Sequence, residues 1–328
     1  MNSTERVLRT LRGEETDRQP IYGWVKENLS KEISDIFGSV ENFEDRYEFD
    51  AAMIFGCPWS FNGPVFDRLK AENEELTPDI LVDEDILTNP CDPSLYKNLE
   101  ENIAHHKKRG RFCYVHTPGF FEHFNSVFGI QNHLLYMAMY PDELCELYAK
   151  QAEWTMKMTE MLVKLDLGAD MTLFSDDWGA QNNLMFSPTM WKEMIYPNMK
   201  KVVDNSHSLG LLTGLHSDGC ILSVADGIAE LGIDMVHPWQ ENAGMGYDTY
   251  LAKYADKFGI HGGICVQSAI GILPRKELEA EIRRVFSVLR GRRWVCNTSH
   301  YVQNHCTMED LIFAFDLIYK LAREPISK

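Results

Sequence analysis

The sequence predicts an α/β protein: a single (β/α)8 barrel of the TIM type, with an N-terminal helix and an excursion after the second strand. Three observations predict it. Eight short apolar runs rich in β-formers recur along the chain, segments of helical period separate most of them, and no G-x-G-x-x-G follows the first run. Their even spacing favours closure into a barrel over an open doubly wound sheet, and the dinucleotide-binding alternative lacks its glycine fingerprint.

The runs fall at 20–25, 51–56, 112–116, 171–175, 211–216, 233–237, 260–264 and 294–298. Several intervening helices carry their own punctuation. Pro141 with Asp142 and Glu143 forms a first turn for a helix reaching about Leu165, stopped before Gly168. Ser187 and Pro188 read as an N-cap followed by proline at the first helical position, with a bend expected at Pro197 and an end at Gly210. Pro274 precedes a helix ending before Gly291, and Thr307 to Asp310 form a variant capping box ahead of LIFAFDLIYKL. The region from Ser60 to Gly110 is too long for a simple connection; it reads as helices plus an excursion over the barrel mouth.

Composition bounds the function. Against 49 Asp+Glu stand 32 Lys+Arg, a net charge of −17, which argues against a nucleic-acid partner because no basic surplus exists to displace counterions. The chain is 45% hydrophobic and 25% charged, values of a packed globule. No repeat, low-complexity tract or flexible linker marks a boundary, so residues 1–328 read as one domain. The eight cysteines are scattered without a C-x-x-C pair, the N-terminus lacks the apolar core of a signal peptide, and no run approaches the roughly 18 apolar residues of a membrane span. A cytoplasmic protein with free thiols is the expectation.

In such barrels chemistry collects at the carboxyl ends of the strands. Here those ends offer His116, Asp176 with Asp177, His216 with Asp218, His237 with Gln240, and Cys296 with His300. In His216-Ser217-Asp218 the outer two residues lie two apart on an extended segment and point to the same side, so imidazole and carboxylate can converge. His300 offers a third ligand, and two imidazoles with a carboxylate suit zinc or another first-row divalent ion. Cys296 is a competing thiolate ligand. The plainer alternative is that Asp218 only orients His216 or caps a helix starting near Cys220.

Asp176 and Asp177 are adjacent, so at most one faces the site while the other caps or pairs. His116 precedes a loop carrying Phe120, Phe121 and Glu122, which would set aromatic walls beside a carboxylate. Trp24, Trp59 and Trp178 also lie near strand ends, where each serves either as a wall for a flat ligand or as core packing.

The segments STERVLRTLRGEETDRQPIYGW, DMTLFSDDWGAQNNLMFSPTMWKEMIYP, GLLTGLHSDGCI, LGIDMVHPWQ, HGGICVQ and TSHYVQNHCTMEDLIFAF together resemble the uroporphyrinogen decarboxylase superfamily, in order and over nearly the whole chain. The resemblance implies one (β/α)8 barrel, often dimeric, with its site at the mouth. That superfamily divides into porphyrinogen decarboxylases and corrinoid-linked methyltransferases. The decarboxylases carry an Arg-rich segment after the first strand, whereas no Arg lies here between Arg18 and Arg46; Cys57 stands where they have a catalytic aspartate. The coenzyme M branch of the methyltransferases binds zinc through H-x-C and a later Cys, and those positions hold His216, Asp218 and His300.

The expectation is therefore a corrinoid-dependent methyltransferase, with zinc or a similar ion polarising a methyl ether or related donor and the corrinoid supplied by a partner protein. Asp176, Asp177 and Gln240 are the expected catalytic residues. His116, Glu122, Trp178, His237 and Cys57 are the expected substrate contacts. The alternatives are a decarboxylase and a non-catalytic tetrapyrrole- or corrinoid-binding module.

Overall fold

The computed structural model describes residues 1–325. Seven parallel strands lie in sequential order: β1 Ala51–Ile54, β2 Phe112–Pro118, β3 Met171–Ser175, β4 Leu212–His216, β5 Met235–His237, β6 Gly259–Ile264 and β7 Trp294–Thr298. Helices follow the strands, the arrangement of a TIM-type barrel. All four residues of β1 and all five of β3 are buried, as expected of parallel strands covered on both faces.

The first apolar run, 20–25, is reduced to a single parallel bridge between Ile21 and Cys296. Its backbone bonds β7 through Tyr22 N–H to Cys296 O and Cys296 N–H to Pro20 O, while Asp50 N–H donates to Ile21 O. The ladder goes no further because side chains take the remaining groups. Ile21 N–H donates to the Asp50 carboxylate at 2.8 Å, and Trp24 N–H donates to Thr298 Oγ1 at 3.1 Å. Asp50, fully buried, also accepts from Arg6 at 2.6 Å and from two nitrogens of Arg18 at 2.6 and 3.0 Å.

The chain forms two compact units. One comprises Met1–Ala52, His106–Cys113 and the chain from Asp234 onward; the other comprises Met53–His105 and Tyr114–Ile233. The first contains helix Ser3–Leu11, strands β5 to β7 and helices Arg275–Leu289 and Met308–Ala322. Its strands β6 and β7 run in register from Ile260 opposite Trp294 to Ile264 opposite Thr298. Thr307 caps the last helix, accepting from Asp310 N–H at 3.1 Å.

The second unit contains β2 to β4 and their helices. Register pairs Pro118 with Ser175 and Ser175 with His216, so these strand ends stand level. Helix Pro141–Lys164 buries a continuous apolar stripe including Leu144, Leu147, Met158 and Leu162. Ser187 caps the next helical segment. Pro197 lacks an N–H, and the turn before it, Trp191–Ile195, widens to a π-helix before Tyr196–Ser208 resumes. The excursion holds helices Gly63–Glu72, Pro78–Leu81 and Lys97–Lys108. No helix among the described residues is long and apolar enough to cross a membrane.

Candidate functional site

In the second unit, the loops after β3 and β4 lie against one another. A Cβ on Gly179 would meet Asp218 O at 2.4 Å, and one on Gly219, whose φ is +77°, would meet Gly179 O at 2.4 Å. Only glycine fits this back-to-back contact. Cys220 N–H donates to Ala180 O at 2.8 Å and Trp178 N–H to Ser217 Oγ at 3.0 Å, locking the pair of loops.

That contact separates the two adjacent aspartates. Asp176 is fully buried, and its Oδ1 accepts Glu122 N–H at 2.7 Å at the start of helix Phe121–Phe128. Burial raises it to about 6, opposed by this backbone hydrogen bond. Asp177 points the other way. Its Oδ1 accepts Asp218 N–H at 2.8 Å and lies 3.7 Å from His216 Nε2.

Around this pair the polar groups are acidic and desolvated. Burial, then Asp177 and Glu122, push the Asp218 carboxyl up to about 7. Burial, then Asp177 and Asp176, push Glu122 up to about 7, and Ser175 Oγ donates to Glu122 Oε2 at 3.0 Å. His116 packs against Phe55 with ring centroids 4.7 Å apart; burial, then His216, lowers it to about 4. A carboxyl cluster that resists ionisation is an environment in which a cation would be welcome.

Of the other expected contacts in this unit, Trp178 is fully buried and packs edge-on against Trp191 at 5.6 Å, as interior packing. Burial pushes the Cys57 thiol up to about 12, and its sulfur lies 4.0 Å from Met158 Sδ. Trp59 is 62% exposed.

The first unit holds a separate group of rings. Trp24 lies 4.7 Å from His300, 5.4 Å from Tyr301 and 6.3 Å from His237 between centroids. His237 is buried, shares a 3.2 Å hydrogen bond with Asn297 and packs 5.2 Å from His261, itself beside Tyr22. Cys296 is fully buried in β7, and burial holds its thiol well above the ordinary range. Gln240 is buried and lines a cavity of about 170 Å³ with Trp239, Tyr247 and Cys265.

Residue-by-residue reading missed Phe55, Ser175, His261 and Asn297. Phe55 directly follows β1, and Ser175 ends β3 opposite His216, so strand-end position was the signal available for both. His261 and Asn297 sit inside strands, where a polar residue in an apolar run was the only cue.

A barrel whose strand ends gather imidazoles and carboxyls defines a TIM-barrel protein with a polar candidate site. A profile of the uroporphyrinogen decarboxylase (URO-D) family matches residues 123–321, and the chain belongs to that family. Among solved structures it is similar to a methyltransferase from Methanosarcina mazei, at 12% identity and a TM-score of 0.65, over 97% of this chain and 99% of that one. A GH113 β-1,4-mannanase is similar at 11% identity and a TM-score of 0.50, over 94% of this chain and 100% of that one. Identities this low show the shared fold. No curated protein sequence matches the chain.

Proposed function

We propose that the protein is a metal-dependent enzyme that moves a methyl group between a small donor, such as a methyl ether, and the cobalt of a corrinoid carried by a partner protein. His216, Asp218 and His300 would hold the metal, zinc being the first choice for this set. The observation that carries the reading lies within the second unit: Asp177 Oδ1 accepts the Asp218 N–H at 2.8 Å and stands 3.7 Å from His216 Nε2, so two of the proposed ligands are set around one carboxylate. Cys296, fully buried in β7, is the competing ligand.

A metal held there would supply Lewis-acid polarisation of the donor oxygen, for which nitrogen and oxygen ligands are better suited than thiolates. The chain's own groups do the rest. Asp177 accepts the Asp218 backbone N–H and faces the His216 imidazole, fixing both ligands. Glu122, held near neutrality, returns a proton to the departing oxygen. Asp176 positions Glu122 through its backbone. His116, with Phe55 behind it, forms one wall, and His237 and Gln240 orient the donor. Methyl transfer is a chemistry this barrel hosts in the Methanosarcina mazei enzyme. The same reading takes the chain as one catalytic domain working in the cytoplasm, as a monomer or homodimer.

The test is elemental analysis of protein purified without chelators, followed by demethylation assays with a cobalt(I) corrinoid protein on methyl ethers, methylamines and methyl thiols. Stoichiometric zinc lost in His216→Ala, together with activity, supports the proposal. A metal-free protein that releases carbon dioxide from a porphyrinogen would establish a decarboxylase. Tight cobamide binding without turnover would establish a binding module.

A further inference from the structure

We infer that the outer face of helix Ile130–Met139 docks a partner protein that rings an apolar patch with Lys and Arg. That this partner is the corrinoid carrier rests on the function proposed above. The helix lies wholly in the second unit, in contact with helices Phe121–Phe128 and Pro141–Lys164. Its inner side buries His133, Tyr136 and Met137, yet its outer side is apolar too. Ile130, Leu135 and Met139 are 44%, 53% and 56% exposed. At about 100° per residue, Leu134 and Ala138 fall on the same arc, which Gln131 and Asn132 interrupt and no charged residue enters. A helix that is hydrophobic all round is ordinarily buried, and a contiguous exposed apolar patch marks an interaction surface.

The face is about 15 Å long and about 10 Å wide, far below the roughly 800 Å² per partner of a stable interface. Most of a complex formed there must therefore lie on the surroundings, and these are acidic. Asn132 Nδ2 and Tyr136 OH donate to Glu75 at 2.8 and 2.7 Å. Asp142, Glu143 and Glu146 follow at the start of the next helix, and no Lys or Arg lies between Arg111 and Lys150. The imbalance extends over the whole unit. Its 26 Asp and Glu against 9 Lys and Arg carry the chain's entire net charge of −17, while the first unit is balanced at 23 of each. A second copy presenting the same face would set acid against acid, whereas a basic rim is attracted and steered. The placement suits a carrier that must reach the reacting atoms. Helix Phe121–Phe128 leaves the carboxyl end of β2, and helix Pro141–Lys164 returns the chain to the start of β3. Helix Ile130–Met139 between them stands at the strand-end side of the unit, the side of Asp177 and His216.

The test titrates the full-length protein with the corrinoid protein of the demethylation assay, by calorimetry at about 0.05 and about 0.3 M NaCl. Leu135→Glu combined with Met139→Glu is expected to weaken binding at least about tenfold. The higher salt should weaken wild-type binding several-fold. Val163→Glu, at an exposed apolar position near the far end of helix Pro141–Lys164, is the control and should bind as the wild type does. Thermal unfolding checks that the variants fold, and Leu135→Ser, which adds no charge, replaces the double variant if that one does not. Unchanged affinity in the variant, binding indifferent to salt, or no binding by the wild type overturns the inference. So does a stable dimer, seen by light scattering, that the variant dissociates. Methyl transfer is measured on the same preparations. Transfer with binding indifferent to the variant sinks this inference alone, and salt- and variant-sensitive binding without transfer sinks only the methyltransferase reading.

Discussion

Replacing Asp50 by Ala tests how the barrel is held at its first strand. The carboxylate is fully buried and accepts four hydrogen bonds: one from Arg6, two from Arg18 and one from the Ile21 backbone. Arg6 keeps Asp17 as a partner at 2.7 Å, but Arg18 retains the Gln19 and Glu48 carbonyls at 3.1 and 3.2 Å and, for its charge, a 3.4 Å contact with the half-exposed Glu48 carboxylate. Removing one member of a buried ion pair leaves an uncompensated charge and costs about 3–5 kcal/mol. The unsatisfied Ile21 N–H belongs to the same loss and is not an added term. With an unfolding entropy of about 0.7 kcal/mol/K for a chain of this length, Tm should fall by about 4–7 °C. The assay is urea and thermal unfolding of Asp50→Ala, Arg18→Ala and the double variant. The double variant should be less destabilised than the sum of the singles, because removing both partners removes the stranded charge. A loss below about 1 kcal/mol for Asp50→Ala, or strict additivity, would refute the claim that this clasp holds the first strand in place.

Three further outcomes are expected. Zinc at 100 times its Kd should stabilise the protein by about 2.7 kcal/mol, raising Tm by about 4 °C; the rise should vanish in His300→Ala, and an unchanged rise there would remove His300 from the ligand set. Burial lowers His123 and His133 to about 3. Between that value and the unfolded value near 6.5 the unfolded chain binds more protons, so each histidine's contribution is complete above about pH 6.5 and is lost as pH falls, at up to about 1.4 kcal/mol per unit. His133→Gln should flatten that slope relative to the wild type between pH 6.5 and 4.5 in urea titrations, and an identical slope would contradict the assignment. Finally, Gly219→Ala should cost at least about 2 kcal/mol and weaken zinc binding in the same titrations, since the added Cβ meets the Gly179 carbonyl at a conformation only glycine favours; a variant as stable as the wild type would show that the two loops can part.

Much of the architecture was legible from periodicity alone. The runs at 171–175 and 294–298 coincide with β3 and β7, and the caps at Ser187 and Thr307 form as their residue types require. Strand position also told that His116, Asp177, His216 and Asp218 would stand near strand ends. Only the tertiary structure decided the rest. Nothing local in 20–25 says that Asp50 and Thr298 will take its backbone N–H groups and leave it a single bridge. Nothing in Asp176-Asp177 says which carboxyl caps the helix after β2 and which faces His216. Hydrophobic patterning fixes which side of a strand faces the core because burial is summed over many residues. The job of an individual carboxyl depends on one or two donors supplied from distant strands, and those exist only once the barrel has formed.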